Sequence, residues 1–485
     1  MVEGKEEKGR NKLAELVRSG RQLTVGEQLR MIATLSIPAI LAQLSSIIMQ
    51  YIDASMVGRL GADAAASIGL VSTSTWLFGG ICGAVATGFS VQVAHLIGGG
   101  AVKEAKSVLR QALVAALCFS MAISLIGVCI SGGLPVWLGG NEHITDNATK
   151  YFRIFALFIP ALMMNFLGGS MLRCSGNMMV PGMLNIVMCA LDVIFNMLLI
   201  FPTRDISFAG VTFTMPGAGM GVEGAALGTA FAELVTMMLM LYFLCFRTGD
   251  LCLKGFSGSF MPTKSCLKKA VKIGLPMGVE HFILCAAQIL TTVIVAPLGT
   301  IAIAANAFAI TAESLCYMPG YGIGDAATTL IGQSLGAGRK DLTRSFANIT
   351  VGLGMAVMTL MGIIMYAAAP VMMGIMTSDT DIIDLGVMAL RIEAYAEPMF
   401  AASIVAYGVF VGAGDTLMPC AMNLFSMWAV RLTLAAILAP ALGLQGVWIA
   451  MCIELCFRGI IFLIRLKGNR WMNSKNITKT TTDEI

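Results

Sequence analysis

The chain has 485 residues, of which 57% are hydrophobic and only 12% charged, and its net charge is +4 with a mean hydropathy of +0.81. Soluble domains carry about a quarter charged residues, so this composition excludes a string of soluble domains, and it also excludes disorder, collagen and a small disulfide scaffold. A polytopic membrane protein remains. The 53 glycines fit this class, because small residues let membrane helices approach closely. Basic residues are scattered over loops instead of forming a patch, which leaves no support for nucleic-acid binding. The three histidines, His95, His143 and His281, are too few for a zinc or haem centre. Cys452 and Cys456, one helical turn apart without a second ligand pair, read as packing residues and not a metal site.

Residues 1–30 are polar and basic, with no apolar stretch after them short enough to be a cleaved signal. They read as a cytoplasmic tail. Apolar windows follow at 31–57, 66–97, 107–133, 149–172, 178–201, 222–246, 271–297, 302–334, 343–373, 384–411, 418–440 and 444–466. Each is near or above the roughly 20 residues that cross a bilayer as a helix. The alternation of a barrel is absent, and only helices satisfy their own backbone in lipid. The fold expected is therefore an all-α polytopic membrane protein of twelve transmembrane helices. Spans one to six, 31–246, form one lobe, 247–270 a cytoplasmic linker, and spans seven to twelve, 271–466, a second lobe before a cytoplasmic tail at 467–485. Twelve spans place both termini on one side, and 25 of the 32 Lys and Arg residues fall in the tails and loops of that side. By the positive-inside rule both termini are cytoplasmic, in a multi-pass protein of the inner membrane.

The two halves repeat. Aligned without a gap, Pro38 meets Pro276, Gly98 and Gly100 meet Gly336 and Gly338, Arg153 meets Arg391, and Gly176, Pro181 and Asn185 meet Gly414, Pro419 and Asn423. Six spans per half is an even number, so the halves share one orientation, as in a parallel repeat. That pattern is expected of a two-lobed alternating-access transporter more than of a channel. The GxG pairs read as helix ends and not phosphate loops, since no strand precedes them.

Charges inside spans are costly and mark function by default. They are Asp53, Asp192, Glu233, Glu280, Glu313, Asp325, Glu393, Glu397, Arg431, Glu454 and Arg458. Asp192 and Asn196 share a helix face, and with Asp53 and Thr229 they supply two carboxylates, an amide oxygen and a hydroxyl that could coordinate Na⁺ or share a proton. No other metal is expected. Pro38, on the same span as Asp53 and well before it, would bend span one. In the second lobe the candidates are Glu280, His281, Glu393 and Glu397. If these acids face a central cavity they form an anionic wall for cationic compounds; otherwise they hold helices together. Glu454 and Arg458 read as an internal ion pair.

The order and spacing of several motifs identify the chain as similar to the multidrug and toxin extrusion (MATE) family over about residues 30–465. They are Asp53 with Val57–Gly61, GFSVQVAHLIGGG, MLRCSGN with Pro181, and GVEGAALGT. The resemblance implies two six-helix bundles in a V around a central cavity. It implies a secondary active antiporter that exports cationic, lipophilic drugs in exchange for H⁺ or Na⁺ and is not an enzyme. It also implies an ion site at Pro38, Asp53, Asp192, Asn196 and Thr229, with the span-five Asn and Asp in reversed order. The family branch that uses a span-seven Glu places it deeper than Glu280. Partners expected are small drug-like cations and the bilayer, with the protein a monomer and no cofactor beyond the coupling ion. Two rivals stay open: a flippase for lipid-linked saccharides, which needs a basic cavity, and an integral membrane enzyme, for which no catalytic cluster is present.

Overall fold

The structure, a computed structural model, describes residues 15–208, 211–247, 249–255 and 258–473. The start of the expected N-terminal tail, 1–14, and the tail beyond 473 lie outside them. Among the described residues eleven unbroken helices are long and apolar enough to cross a bilayer, and a twelfth span is broken in two. They are α1 (Val25–Gly58), α2 (Ala62–Gly98), α3 (Val102–Ile130), α4 (Glu142–Cys174), α5 (Met179–Leu199), α6 (Gly221–Arg247), α7 (Lys264–Leu298), α8 (Thr300–Gly336), α9 (Lys340–Met376), the pair α10a (Thr380–Ala394) and α10b (Glu397–Gly412), α11 (Leu417–Leu442) and α12 (Leu444–Lys467).

Several helices begin in polar sequence outside the apolar windows, because caps start them there. At α1 the Thr24 hydroxyl accepts from the Glu27 N–H while the Glu27 carboxylate accepts from the Thr24 N–H, a capping box. At α7 the Thr263 hydroxyl accepts from the Cys266 N–H at 3.3 Å. The 34 residues of α1 make a rod of about 50 Å, so its first turns stand outside a bilayer core of about 30 Å. The tenth span was expected as one helix. It bends by 60° between Ala394 and Glu397, because Pro398 cannot donate to the preceding turn and disfavours helical geometry at the residue before it. One element was not expected: β1 (Pro202–Phe208) and β2 (Val211–Ala218) form an antiparallel hairpin between α5 and α6.

The repeat governs the packing. In the first lobe α2 packs on α3 and α4, α4 on α6, and α5 on α1 and α6; in the second, α8 packs on α9 and α10b, α10b on α12, and α11 on α7 and α12. Each contact has its partner six spans later. The lobes meet through a reciprocal exchange, α1 lying along α8 and α7 along α2, with α2 crossing α8.

Glycines make these crossings possible. A Cβ on Gly98 would sit 2.1 Å from the Gln333 carbonyl oxygen, and one on Gly336 would sit 2.0 Å from that of His95. Both glycines end their helices, as the sequence suggested, but their function is close backbone approach between lobes. The same end is tied by His95 Nε2, 2.8 Å from the Gly412 carbonyl, and by Gln333, which donates to the Cys174 carbonyl at 3.0 Å. The segment before α1 bridges both lobes there. Arg18 donates to the Ile97 carbonyl at 2.6 Å, and Arg339 donates to the Arg21 carbonyl at 2.9 Å.

Candidate functional site

Three helices of the first lobe converge on a polar pocket. Asp53 stands near the end of α1, Asp192 and Asn196 one turn apart on α5, and Thr229 on α6. Asp192 and Asn196 are fully buried, and Asp53 is half-buried. The Asn196 side-chain nitrogen donates to Asp53 Oδ1 at 2.9 Å and to Asp192 Oδ2 at 3.0 Å. Asp53 and Asp192 are themselves hydrogen-bond neighbours, and the Thr229 side chain reaches Asp192. Two carboxylates this close repel unless a proton or cation lies between them. Among the described residues, Asp192 Oδ1 and Asn196 Oδ1 have no hydrogen-bond partner. Glu233, one turn beyond Thr229, and Tyr151 of α4 lie within electrostatic reach of these carboxyls.

The sequence motif GVEGAALGT builds the wall of this pocket. A Cβ on Gly224 would meet the Leu199 carbonyl at 2.5 Å, so α6 can lie directly on the end of α5. A Cβ on Gly228 would fall 2.1 Å from Asn196 Oδ1, so this glycine vacates the space that the amide uses. Gly228 and Tyr151 were not singled out from the sequence. The spacing of Gly224 and Gly228, one helical turn, was a legible signal for close approach; Tyr151 had none.

Pro38 lies elsewhere. It sits about four turns before Asp53 on a helix that continues through it, a separation of about 22 Å. Its carbonyl faces Gly182 of α5, where a Cβ would be 2.8 Å away. The pocket therefore gathers Asp53, Asp192, Asn196 and Thr229 without Pro38, which belongs to the α1–α5 contact nearer the end that carries both termini.

In the second lobe Glu280 is buried and both its oxygens are held. The Tyr407 hydroxyl donates to Oε2 at 2.6 Å and the Asn423 amide to Oε1 at 2.5 Å. His281 points the other way, against Gly80 and the Trp76 ring of α2, with ring centroids 4.8 Å apart. Glu393 and Glu397 are 0% exposed, so they lie inside the lobe and form no cavity wall. Nor does Arg391 neutralise them: its guanidinium lies over the Tyr366 ring. Arg458 Nε is 3.1 Å from Glu454 Oε1, the expected internal pair. Asp325 lies 3.9 Å from Arg173 across the lobe interface. Among the described residues no group of three or more His, Cys, Asp or Glu is placed to hold a metal ion.

A family model described as MatE matches residues 38–198 and 276–437, one match in each half of the repeat. A protein named "Probable multidrug resistance protein NorM" from Thermotoga maritima is 24% identical over 453 residues, covering 93% of this chain and 95% of that protein. One of the same name from Mannheimia succiniciproducens is 25% identical over 445 residues, covering 89% and 92%. A solved structure described as "Outward-facing conformation of a multidrug resistance MATE family transporter of the MOP superfamily" superposes with a TM-score of 0.83 at 20% identity, covering 94% of this chain and 98% of the other.

Proposed function

Since the chain belongs to the MatE family, whose members are membrane transporters and not enzymes, we propose that it exports cationic, lipophilic drug-like compounds by alternating access, driven by protons that enter at Asp53 and Asp192. It is a multi-pass membrane protein of the multidrug-efflux kind, and the Lys and Arg bias supports cytoplasmic termini in an inner membrane. One observation carries the coupling site: a single amide, Asn196, bonds both carboxyls across two helices. A proton bound there removes the repulsion between the acids and lets α1 and α5 settle together. α1 also lies along α8, so close that a Cβ on Gly322 would be 2.7 Å from the Ile40 nitrogen. A shift of α1 is thereby carried to the other lobe. For this to drive transport, the proton must bind the two lobe arrangements unequally.

Sodium is the second reading. The unpartnered Asp192 Oδ1 and Asn196 Oδ1, with Asp53 and Thr229, offer it oxygen ligands. The test is efflux of a fluorescent organic cation from proteoliposomes under a pH gradient or a Na⁺ gradient, imposed separately. The proton reading requires efflux under the pH gradient alone and its loss in Asp53→Asn, which keeps the side-chain shape and removes the charge. Unimpaired gradient-driven efflux in that variant would reject the site.

A further inference from the structure

The lobes close on each other at the end that carries both termini, where α2 and α8 meet, and the stretch before α1 lies across that seam. Residues 15–18 form a helical turn, and the chain runs on without regular structure to the Thr24 cap. Its apolar side is fastened to the second lobe. Val17 is 0% exposed and Leu23 is buried, in one apolar cluster with Leu330, Leu342 and Phe346. Arg339, just before α9, donates to the Val17 carbonyl at 3.4 Å and to the Arg21 carbonyl at 2.9 Å. In the first turn of α1, Gln28 donates to the Leu23 carbonyl at 3.0 Å and accepts from the Ser345 hydroxyl of α9 at 2.6 Å.

The polar side reaches the first lobe. Arg18 donates to the Ile97 carbonyl at 2.6 Å, one of the last carbonyls of α2, where a cation suits the helix dipole. A Cβ on Gly100 would lie 3.9 Å from the same guanidinium, and Asp250 of the linker is within its electrostatic reach. The repeat gives this segment a meaning. In the alignment that pairs Pro38 with Pro276, residues 15–24 fall opposite 253–262, inside the linker that joins the two lobes covalently. The linker cannot let go of either lobe. Its counterpart before α1 can, because side chains alone hold it across the seam. The clasp belongs to one side of the repeat, since Arg339 has Ala101 for its counterpart.

We propose that residues 15–24 are a releasable strap: seated on the second lobe, they hold the cytoplasmic closure through Arg18 and let go of α2 when the lobes part toward the cytoplasm. The inference deepens the transport reading and rests on its alternating access. The strap sets how often the closed seam opens. Losing one hydrogen bond from the Arg18 guanidinium, at a part-exposed site, should make that opening about three- to tenfold more frequent.

The experiment reads the seam and not transport, with Cys174 as reporter. Cys174 is buried where α4 meets α8. Its carbonyl accepts from Gln333 and its thiol lies beside Ser90 and Thr329, so parting of the lobes uncovers it. With Cys174 as the sole cysteine, its alkylation by an impermeant maleimide is timed in inverted vesicles, whose cytoplasmic face is outward. Arg18→Ala and Arg339→Ala should each react about three- to tenfold faster than the parent protein. The two together should react no faster than the faster single variant, because both side chains serve one strap. Arg30→Ala, which removes an exposed cation of α1 near the same end, should react at the parent rate. In Arg18→Cys/Ala101→Cys, a short bismaleimide that joins the strap to the end of α2 should shield Cys174, and this arm serves if the alanine variants do not fold. Parent rates in Arg18→Ala, multiplying effects of Arg18→Ala and Arg339→Ala, or an unshielded Cys174 in the cross-linked protein would each overturn the strap. A shielded Cys174 with drug efflux unimpaired would instead count against alternating access.

Discussion

Gly228→Ala is the sharpest perturbation of the first-lobe pocket that leaves every ionisable group in place. The new methyl would sit 2.1 Å from Asn196 Oδ1 and 3.0 Å from its Cγ, where ordinary contacts begin near 3.4 Å. The Asn196 side chain has to swing away by more than an ångström, and its nitrogen then loses at least one of its bonds to Asp53 and Asp192. A hydrogen bond to a charged group contributes about 1.5–3 kcal/mol. Losing one therefore weakens the link between α1 and α5 about ten- to a hundredfold. Ala is favoured over Gly in a helix by up to about 1 kcal/mol, which offsets only part of that loss, and the Asn196 backbone nitrogen, 3.1 Å from the new methyl, cannot swing aside, so a modest fall in melting temperature should accompany the change. The assay is proteoliposome efflux over a series of imposed pH gradients, with the melting temperature measured alongside. Gly352→Ala, exposed on α9 with nothing within 4 Å of its Cβ, is the matched control. Gly228→Ala should need a far steeper gradient for the same efflux, with only a modest fall in melting temperature. If its gradient dependence equals that of the control, the Asn196 bridge is not the coupling element.

Other outcomes follow from the lobe interface and the second lobe. Gly98→Ala drives a methyl to 2.1 Å from a backbone oxygen of the other lobe, which cannot rotate aside. An overpacking strain of about 1–3 kcal/mol should fall on the interface, and cross-linking between α2 and α8 at that end should drop; unchanged cross-linking and melting would contradict the close crossing. Glu280→Gln places an amide nitrogen against one of two donors, Tyr407 or Asn423. It should lower the melting temperature and weaken cationic and neutral compounds alike, whereas loss confined to cations would return Glu280 to a substrate-facing role. In a cysteine-depleted background, a Cys at Asn141 should react with an impermeant reagent from outside and one at Gly255 only from inside; same-side labelling would break the twelve-span topology.

Lipid makes the architecture readable. A chain with 12% charged residues has nowhere to fold but the membrane, and there the backbone must be helical. Span number, the repeat and the pairing of helices by sixes all follow from local sequence. So does the grouping of Asp192 with Asn196, because residues one turn apart on a helix share a face. The helix starts at Val25 and Lys264 were hidden from hydropathy, because capping depends on Thr24, Glu27 and Thr263, which are polar. The bend in span ten was marked by Pro398, but its size was not.

What each buried charge meets was decided by the tertiary structure alone. The internal repeat pairs Pro38 with Pro276, yet Asp53 has a threonine, Thr291, for a counterpart. The scaffold is duplicated and the chemistry is not. Glu280 and His281 are neighbours in sequence and meet different helices, Glu280 the Tyr407 hydroxyl of α10b and His281 the Trp76 ring of α2. The spacing of Glu393 and Glu397 gave them one face and left open whether it met a cavity; they lie sealed inside the lobe. Gly228 carries no chemistry of its own and is needed because of the side chain it leaves room for. Periodicity tells which residues share a face of one helix. Which helix that face meets, and whether a donor waits there, is set by the packing of spans far apart in the chain, where a shift of one side chain separates a satisfied carboxylate from an orphaned one.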